Sequence, residues 1–204
     1  MQRRAWLALA LTPLFSRVFA ADDLFERIGG MLSRPALLRA SFTQEKRAAA
    51  LTRPIASRGR LTVARDLGVI WRIEAPLTMS VAYRGDAVVE VDGEGRRRVR
   101  PFSDNRAQAE VGRVIRPLPA AAFSALRQHF DAEGNADGKG WQVDLVPRSP
   151  QLAQFVKSLQ LAGALHVEQI VVVDGSGDTT LIRLRDFETP GALDAEERAL
   201  LLDR

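Results

Sequence analysis

From Leu38 to Phe187 the chain is a succession of short segments in which apolar and polar residues alternate, many of them joined by glycine and aspartate. A period of two sends successive side chains to opposite faces of a strand. A run of this kind folds as antiparallel β-structure. Leu38 to Gln44 alternates, as does Arg58 to Val63. Val69, Trp71 and Ile73 share one face, against Ile70, Arg72 and Glu74 on the other. Met79, Val81 and Tyr83 alternate with Ser80, Ala82 and Arg84; Gly85-Asp86 then marks a turn before Ala87 to Val91. Asp92-Gly93-Glu94-Gly95 marks another before Arg96 to Arg100. Later strands are expected at Trp141 to Leu145 and around Leu159 and Leu161. His166 to Val173 and Thr179 to Phe187 form the clearest hairpin, turning at Asp174-Gly175-Ser176-Gly177-Asp178.

Helical spacing is confined to a few places. Leu24, Phe25, Ile28, Met31 and Leu32 predict a helix capped by Asp22 or Asp23 and ended by Pro35, weakened by Gly29-Gly30. Leu118 to Phe130 predicts a second, with Phe123, Leu126 and Phe130 on one side, followed by a polar loop over Gly134 to Gly140. A helical turn is expected over Pro150 to Val156 and a short terminal helix over Asp194 to Leu202. The expected fold class is therefore mainly β with helices: nine or ten sequential antiparallel strands in a strongly curved sheet, an incomplete barrel. Its apolar face needs a cover, because monomers seldom expose that much apolar area. The first two helices are the candidates for a lid, and the hollow beneath them suits something greasy.

The first twenty residues read as an export signal. Arg3-Arg4 is followed by a short apolar run and then by Val18-Phe19-Ala20. The run is far below the ~20 residues of a membrane span. Cleavage after Ala20 is expected, leaving 21–204 as one domain outside the cytoplasm. Arg3, Arg4 and Arg17 leave with the signal, so 29 basic residues become 26 against 25 acidic ones. A chain so near neutrality is a poor nucleic-acid binder. The absence of cysteine excludes disulfides and thiolate chemistry.

Three stretches together resemble the LolA family of periplasmic lipoprotein carriers. They are Ala40-Ser41-Phe42-Thr43-Gln44, Ser57-Arg58-Gly59-Arg60-Leu61 and Trp71-Arg72-Ile73-Glu74-Ala75-Pro76. They match the family's Phe-x-Gln, Gly-x-Leu and Trp-x-x-x-x-Pro elements in order and spacing. The resemblance implies a half barrel lidded by helices, with a cavity for the acyl chains of a lipoprotein or another acylated lipid. It also implies an inner-membrane donor protein, an outer-membrane acceptor, a periplasmic location and a chaperone-like role without catalysis. A monomer without cofactor is expected. The lid-latching arginine of the family corresponds to Arg65, which read locally is a solvated turn residue; an aromatic of the family is Val69 here. The expected ligand-binding set is Val63, Arg65, Val69, Trp71, Val81 and Val89 on the sheet, with Phe123, Leu126 and Phe130 on the lid.

Other residues offer less. His129 and His166 are the only histidines, with no ligand spacing around them, so no metal site is expected. No nucleophile elbow, phosphate loop or zinc-protease helix occurs. Arg96-Arg97-Arg98-Val99-Arg100 reads as an edge strand guarded by charge, or as a patch for an acidic partner or anionic lipid head groups. The rival to a carrier is a lipid-sensing or regulatory interaction module on the same scaffold.

Overall fold

The computed structural model describes residues 21–85, 87–104 and 126–203. Helix α1 (Ala21–Met31) leads into six strands: β1 (Leu37–Arg47), β2 (Ile55–Ala64), β3 (Gly68–Ala75), β4 (Met79–Arg84), β5 (Ala87–Asp92) and β6 (Arg97–Pro101). A 3-10 turn at Phe102–Asp104 follows. The second half holds β7 (Phe130–Asp137), β8 (Gly140–Pro147), the single-turn helix α2 (Pro150–Ala153), β9 (Val156–Gly163), β10 (Val167–Asp174), β11 (Thr179–Glu188) and helix α3 (Ala195–Leu201). No helix among the described residues is long and apolar enough to cross a membrane.

All eleven strands form one antiparallel sheet in the order β6-β5-β4-β3-β2-β1-β11-β10-β9-β8-β7. Strands consecutive in sequence are paired except β6 and β7, and the one non-sequential pairing joins β11 to β1. Among the described residues the sheet is not closed: β6 and β7 are its two edges. Register irregularities bend it. Between Arg39 and Ser41 the partner strand β11 carries an extra residue, and Asp186 there takes a left-handed conformation with φ 53°. The Ser41 hydroxyl donates to the Asp186 carboxylate at that bulge. Further shifts lie between Arg58 and Gly59 against β3, and at both ends of β10 against β9. Bulges of this kind add twist and turn a sheet in on itself.

The two faces are covered differently. On the inner face, α1 buries Leu24, Phe25 and Ile28 against Phe42, Leu61, Val63 and Val69 and against the inward residues of β7 to β11. Ser33 N donates to Leu165 O (2.7 Å), tying the end of α1 to the β9–β10 turn. On the outer face, α3 packs Leu200 and Leu201 onto Leu37, Ala64, Ile70, Ala82 and Val89. A polar contact fixes α3 in place. Arg39 donates to both oxygens of Glu197 (Nε 2.7 Å, Nη2 2.6 Å), and Thr62 Oγ1 donates to Oε1 (2.8 Å). Asp194 and Glu197 also cap the helix reciprocally. Burial alone would raise the Glu197 pKa, but the hydrogen bonds from Arg39, the Asp194 amide and Thr62 outweigh it and hold the carboxyl at about 2.

Three expectations change. Gly134 to Asp137, read as part of a polar loop, form the second half of strand β7, and Phe130 opens that strand instead of closing a helix. Phe130, Ala132 and Ala136 point inward from it, but Asp, Gly and Asn between them hide the alternation. Val156 begins β9 and does not end a helical turn. The sheet has apolar residues on both faces across β3 to β5, so one helix serves the outer face as well.

Candidate functional site

The inner face is not filled along its whole length. Away from α1, at the end of the sheet near the β10–β11 turn, it encloses an apolar cavity of about 310 Å³. One wall is Trp71 and Ile73 of β3 with Val81 and Tyr83 of β4. The opposite wall is Leu159 of β9, Ile170 and Val172 of β10 and Ile182 of β11, with Phe155 and Val156 at its edge. Phe42 and Gln44 of β1 form the floor, and Asp174 stands at the mouth. The shared lining measures the bend. β4 and β9 are six ladder steps apart in the sheet, about 29 Å if it were flat. Only a sheet curled into a trough brings Val81 and Leu159 to one cavity.

Local sequence explains the placement of each wall. Val81 pairs with Trp71 and Glu90, and Tyr83 pairs with Val69 and Val88, so a single register puts Trp71, Val81 and Tyr83 on one side. Gly68, with φ 146°, carries the β2–β3 turn where a Cβ would meet the Tyr83 carbonyl oxygen at 2.1 Å. Gly175 N donates to Phe155 O (3.0 Å), which holds Phe155 against the turn at the mouth.

The cavity has few polar groups. The Phe42 and Trp71 rings meet edge to face at 5.1 Å, with an interplanar angle of 68°. Trp71 Nε1 is buried without a hydrogen-bond partner among the described residues. Trp141, the other tryptophan of the inner face, donates from Nε1 to Ala164 O (2.9 Å). Burial, aided by Glu90, pushes the Tyr83 hydroxyl pKa up, so it is a neutral donor and acceptor at pH 7. The Ser176 hydroxyl holds the Asp174 carboxyl below its ordinary value, and Lys46 Nζ lies between Asp174 (3.5 Å) and Asp178 (3.4 Å). Among the described residues no group of three or more His, Asp or Glu side chains is placed to hold a metal.

The expected site residues separate into groups. Trp71 and Val81 line the cavity. Val63, Val69, Leu126 and Phe130 lie in the same inner-face cluster, fully packed with α1, and do not reach the open space. Val89 lies on the other face. It pairs with Ala82 and packs under α3, so the expectation that it lines the hollow is corrected. Its neighbour Val88, opposite Tyr83, takes the inner face; three valines within Ala87 to Val91 gave no clue to which parity faces in. Arg65 is exposed in the β2–β3 turn, where its amide donates to Ala36 O (3.0 Å), and its side chain makes no ion pair among the described residues. Phe123 lies outside the described residues. Gln44, Tyr83, Phe155, Ile170, Val172 and Ile182 also line the cavity and are not in the expected ligand-binding set. Tyr83 shares the parity of Val81, a usable signal, whereas the unbroken run Ile170 to Val173 is apolar at both parities.

An unclosed, bent antiparallel sheet with an apolar trough defines the class of half-barrel proteins. The sequence profile of the family described as outer membrane lipoprotein carrier protein LolA matches residues 36–197. The chain belongs to this family. A direct sequence comparison with curated proteins finds no match. Among solved structures, a LolA superfamily protein of Nitrosomonas europaea is similar at 9% identity and a TM-score of 0.49, over 88% of this chain and 97% of that one. A putative outer membrane lipoprotein-sorting protein domain of Vibrio parahaemolyticus is similar at 9% identity and 0.46, over 86% and 96%. A chain of the MucA/MucB complex of Pseudomonas aeruginosa is similar at 13% identity and 0.46, over 86% of this chain and 59% of that one. Resemblance this distant identifies no cargo.

Proposed function

We propose that the protein is a non-enzymatic carrier that holds the acyl chain of a lipoprotein or other acylated lipid in the cavity between Trp71 and Phe155. In this reading residues 1–20 are an export signal, 21–204 act as one domain in the periplasm, and helices cover the cavity as a lid. Cargo comes from an inner-membrane donor and passes to an outer-membrane acceptor. The supporting observation is the cavity itself: about 310 Å³ of apolar space on the inner face of a sheet that belongs to a carrier family. That is about twice the ~150 Å³ of a dry cavity that admits benzene, so on the order of a dozen carbons fit. At ~0.8 kcal/mol per buried methylene, their transfer contributes about 10 kcal/mol before ordering costs. Aliphatic and aromatic walls give shape without directional bonds, which suits cargo that must be released.

Solvent extraction of the purified protein followed by mass spectrometry tests the reading. Bound acyl lipid is the expected result. Val81→Trp, which fills the cavity from the β4 wall, should abolish binding of the neutral probe N-phenyl-1-naphthylamine while leaving the melting temperature within a few degrees. An empty protein that ignores the probe would overturn the proposal. Recovery of a stable protein partner in place of lipid would favour the interaction-module reading.

A further inference from the structure

The arginine-rich strand β6 does more than edge the sheet. The ladder sets which of its side chains look into the trough. Val81, on the cavity wall, pairs with Glu90, and Glu90 pairs with Arg98. Tyr83, also on the wall, pairs with Val88, and Val88 pairs with Arg100. Residues directly paired across a sheet share a face, so Arg98 and Arg100 stand on the inner side. They lie two strands, about 10 Å, beyond the cavity wall, a gap that long arginine side chains partly close. Side-chain contacts agree with this parity. Arg100 Nη2 is 3.4 Å from Glu90 Oε2, a residue of the same face. Arg97, of opposite parity, reaches the other way to Asp203 O at 2.8 Å.

The two inward arginines are not used up by the fold. Arg98 makes no ion pair or hydrogen bond among the described residues. Among the described residues Arg100, 44% exposed, has only the 3.4 Å contact, longer than the ~2.8 Å of a strong charge-assisted bond. Arg96 differs: it is engaged by Asp92 (2.7 Å) and Glu94 (2.5 Å). Arg98, Arg100 and Glu90 leave a net positive charge beside an apolar hollow. A guanidinium fork matches the two oxygens of a carboxylate or phosphate.

We infer that the cargo carries an anionic head group, carboxylate or phosphate, and that Arg98 and Arg100 receive it while its acyl chain lies in the cavity. This rests on the carrier reading and adds a head-group subsite to it. The site then has polarity: tail toward Phe42 and Phe155, head toward β6.

The test is displacement of N-phenyl-1-naphthylamine from the purified protein by palmitate, 1-palmitoyl-lysophosphatidylglycerol and the neutral 1-monopalmitoylglycerol, each below its micellar concentration. Both anionic lipids should displace the probe at roughly tenfold lower concentration than the neutral one, one or two exposed charge-assisted contacts being worth about that much. The preference should shrink as salt is raised. In the Arg98→Gln/Arg100→Gln variant it should vanish while probe affinity and melting temperature stay unchanged; both side chains are exposed, so folding is not at stake. At constant ionic strength, inorganic phosphate should leave the preference intact, and its abolition by free phosphate would show a plain anion site and overturn the inference. So would equal displacement by charged and neutral lipids, or a preference that survives in the variant. Failure of the wild type to bind the probe at all would instead count against the carrier reading itself.

Discussion

Glu197→Gln gives the sharpest test of how the outer face is held. Each carboxylate oxygen accepts two hydrogen bonds: Oε1 from Arg39 Nε and Thr62 Oγ1, Oε2 from Arg39 Nη2 and the Asp194 amide. Glutamine keeps the shape but must turn an NH₂ toward one of these donor pairs, whichever way the amide is flipped. Glu197 is 3% exposed, so water does not repair the loss. The lowered pKa gives an independent scale. A folded-state pKa of about 2 against an ordinary 4.5 corresponds to about 3 kcal/mol at neutral pH, at ~1.36 kcal/mol per unit. The expected loss for Glu197→Gln is therefore about 2–4 kcal/mol at pH 7. The sign follows from linkage. The folded pKa lies below the unfolded one, so this contribution is complete above pH 4.5 and fades as pH falls toward 2. Urea unfolding followed by tryptophan fluorescence at pH 7, 5, 4 and 3 measures both proteins. The gap between them should be constant from pH 7 to 5 and narrow below that. A gap under 0.5 kcal/mol at pH 7, or one that does not narrow in acid, would refute the reasoning.

Three further substitutions probe other parts of the molecule. Gly59→Ala would set a Cβ 1.8 Å from the Arg72 carbonyl oxygen across the β2–β3 bulge; a loss of about 3 kcal/mol or more is expected in urea unfolding, whereas Gly138→Ala, with open space around it, should stay within about 0.5 kcal/mol. Gly30→Ala, in α1 with no atom within 4 Å of the added carbon, should stabilise by about 0.5–1 kcal/mol and raise the melting temperature by a few degrees. Trp71→Phe removes a buried donor that has no partner among the described residues. The relief should offset most of the lost area, leaving stability within about 1 kcal/mol of wild type, and a loss above 2 kcal/mol would show that Nε1 is satisfied in solution.

Much of the trough was legible because a strand carries its facing in its own alternation. Val69, Trp71 and Ile73 fall on one side and Ile70 and Arg72 on the other, as their spacing implied. Legibility failed where local pattern carries no facing. Val88 and Val89 are chemically identical neighbours, and only pairing with Tyr83 and Ala82 decides which turns inward. β7 was obscured because an edge strand packed by alanines needs neither branched nor bulky residues. The Asp194-x-x-Glu197 capping box is readable locally, but its partner Arg39 lies 158 residues from Glu197 and leaves no trace in the helix. The cavity itself arises from the curl of the sheet, a property of eleven strands and their bulges that no single segment encodes.

The unsealed seam between β6 and β7 has a mechanical consequence. In a closed barrel, strand number and stagger set the radius, and widening it means breaking a ladder. Among the described residues no ladder spans the seam, so a small change of twist at the bulges would spread or tighten the trough with those backbone pairs kept. Girth in such an open trough is a compliant coordinate, set by twist and not by a fixed strand count.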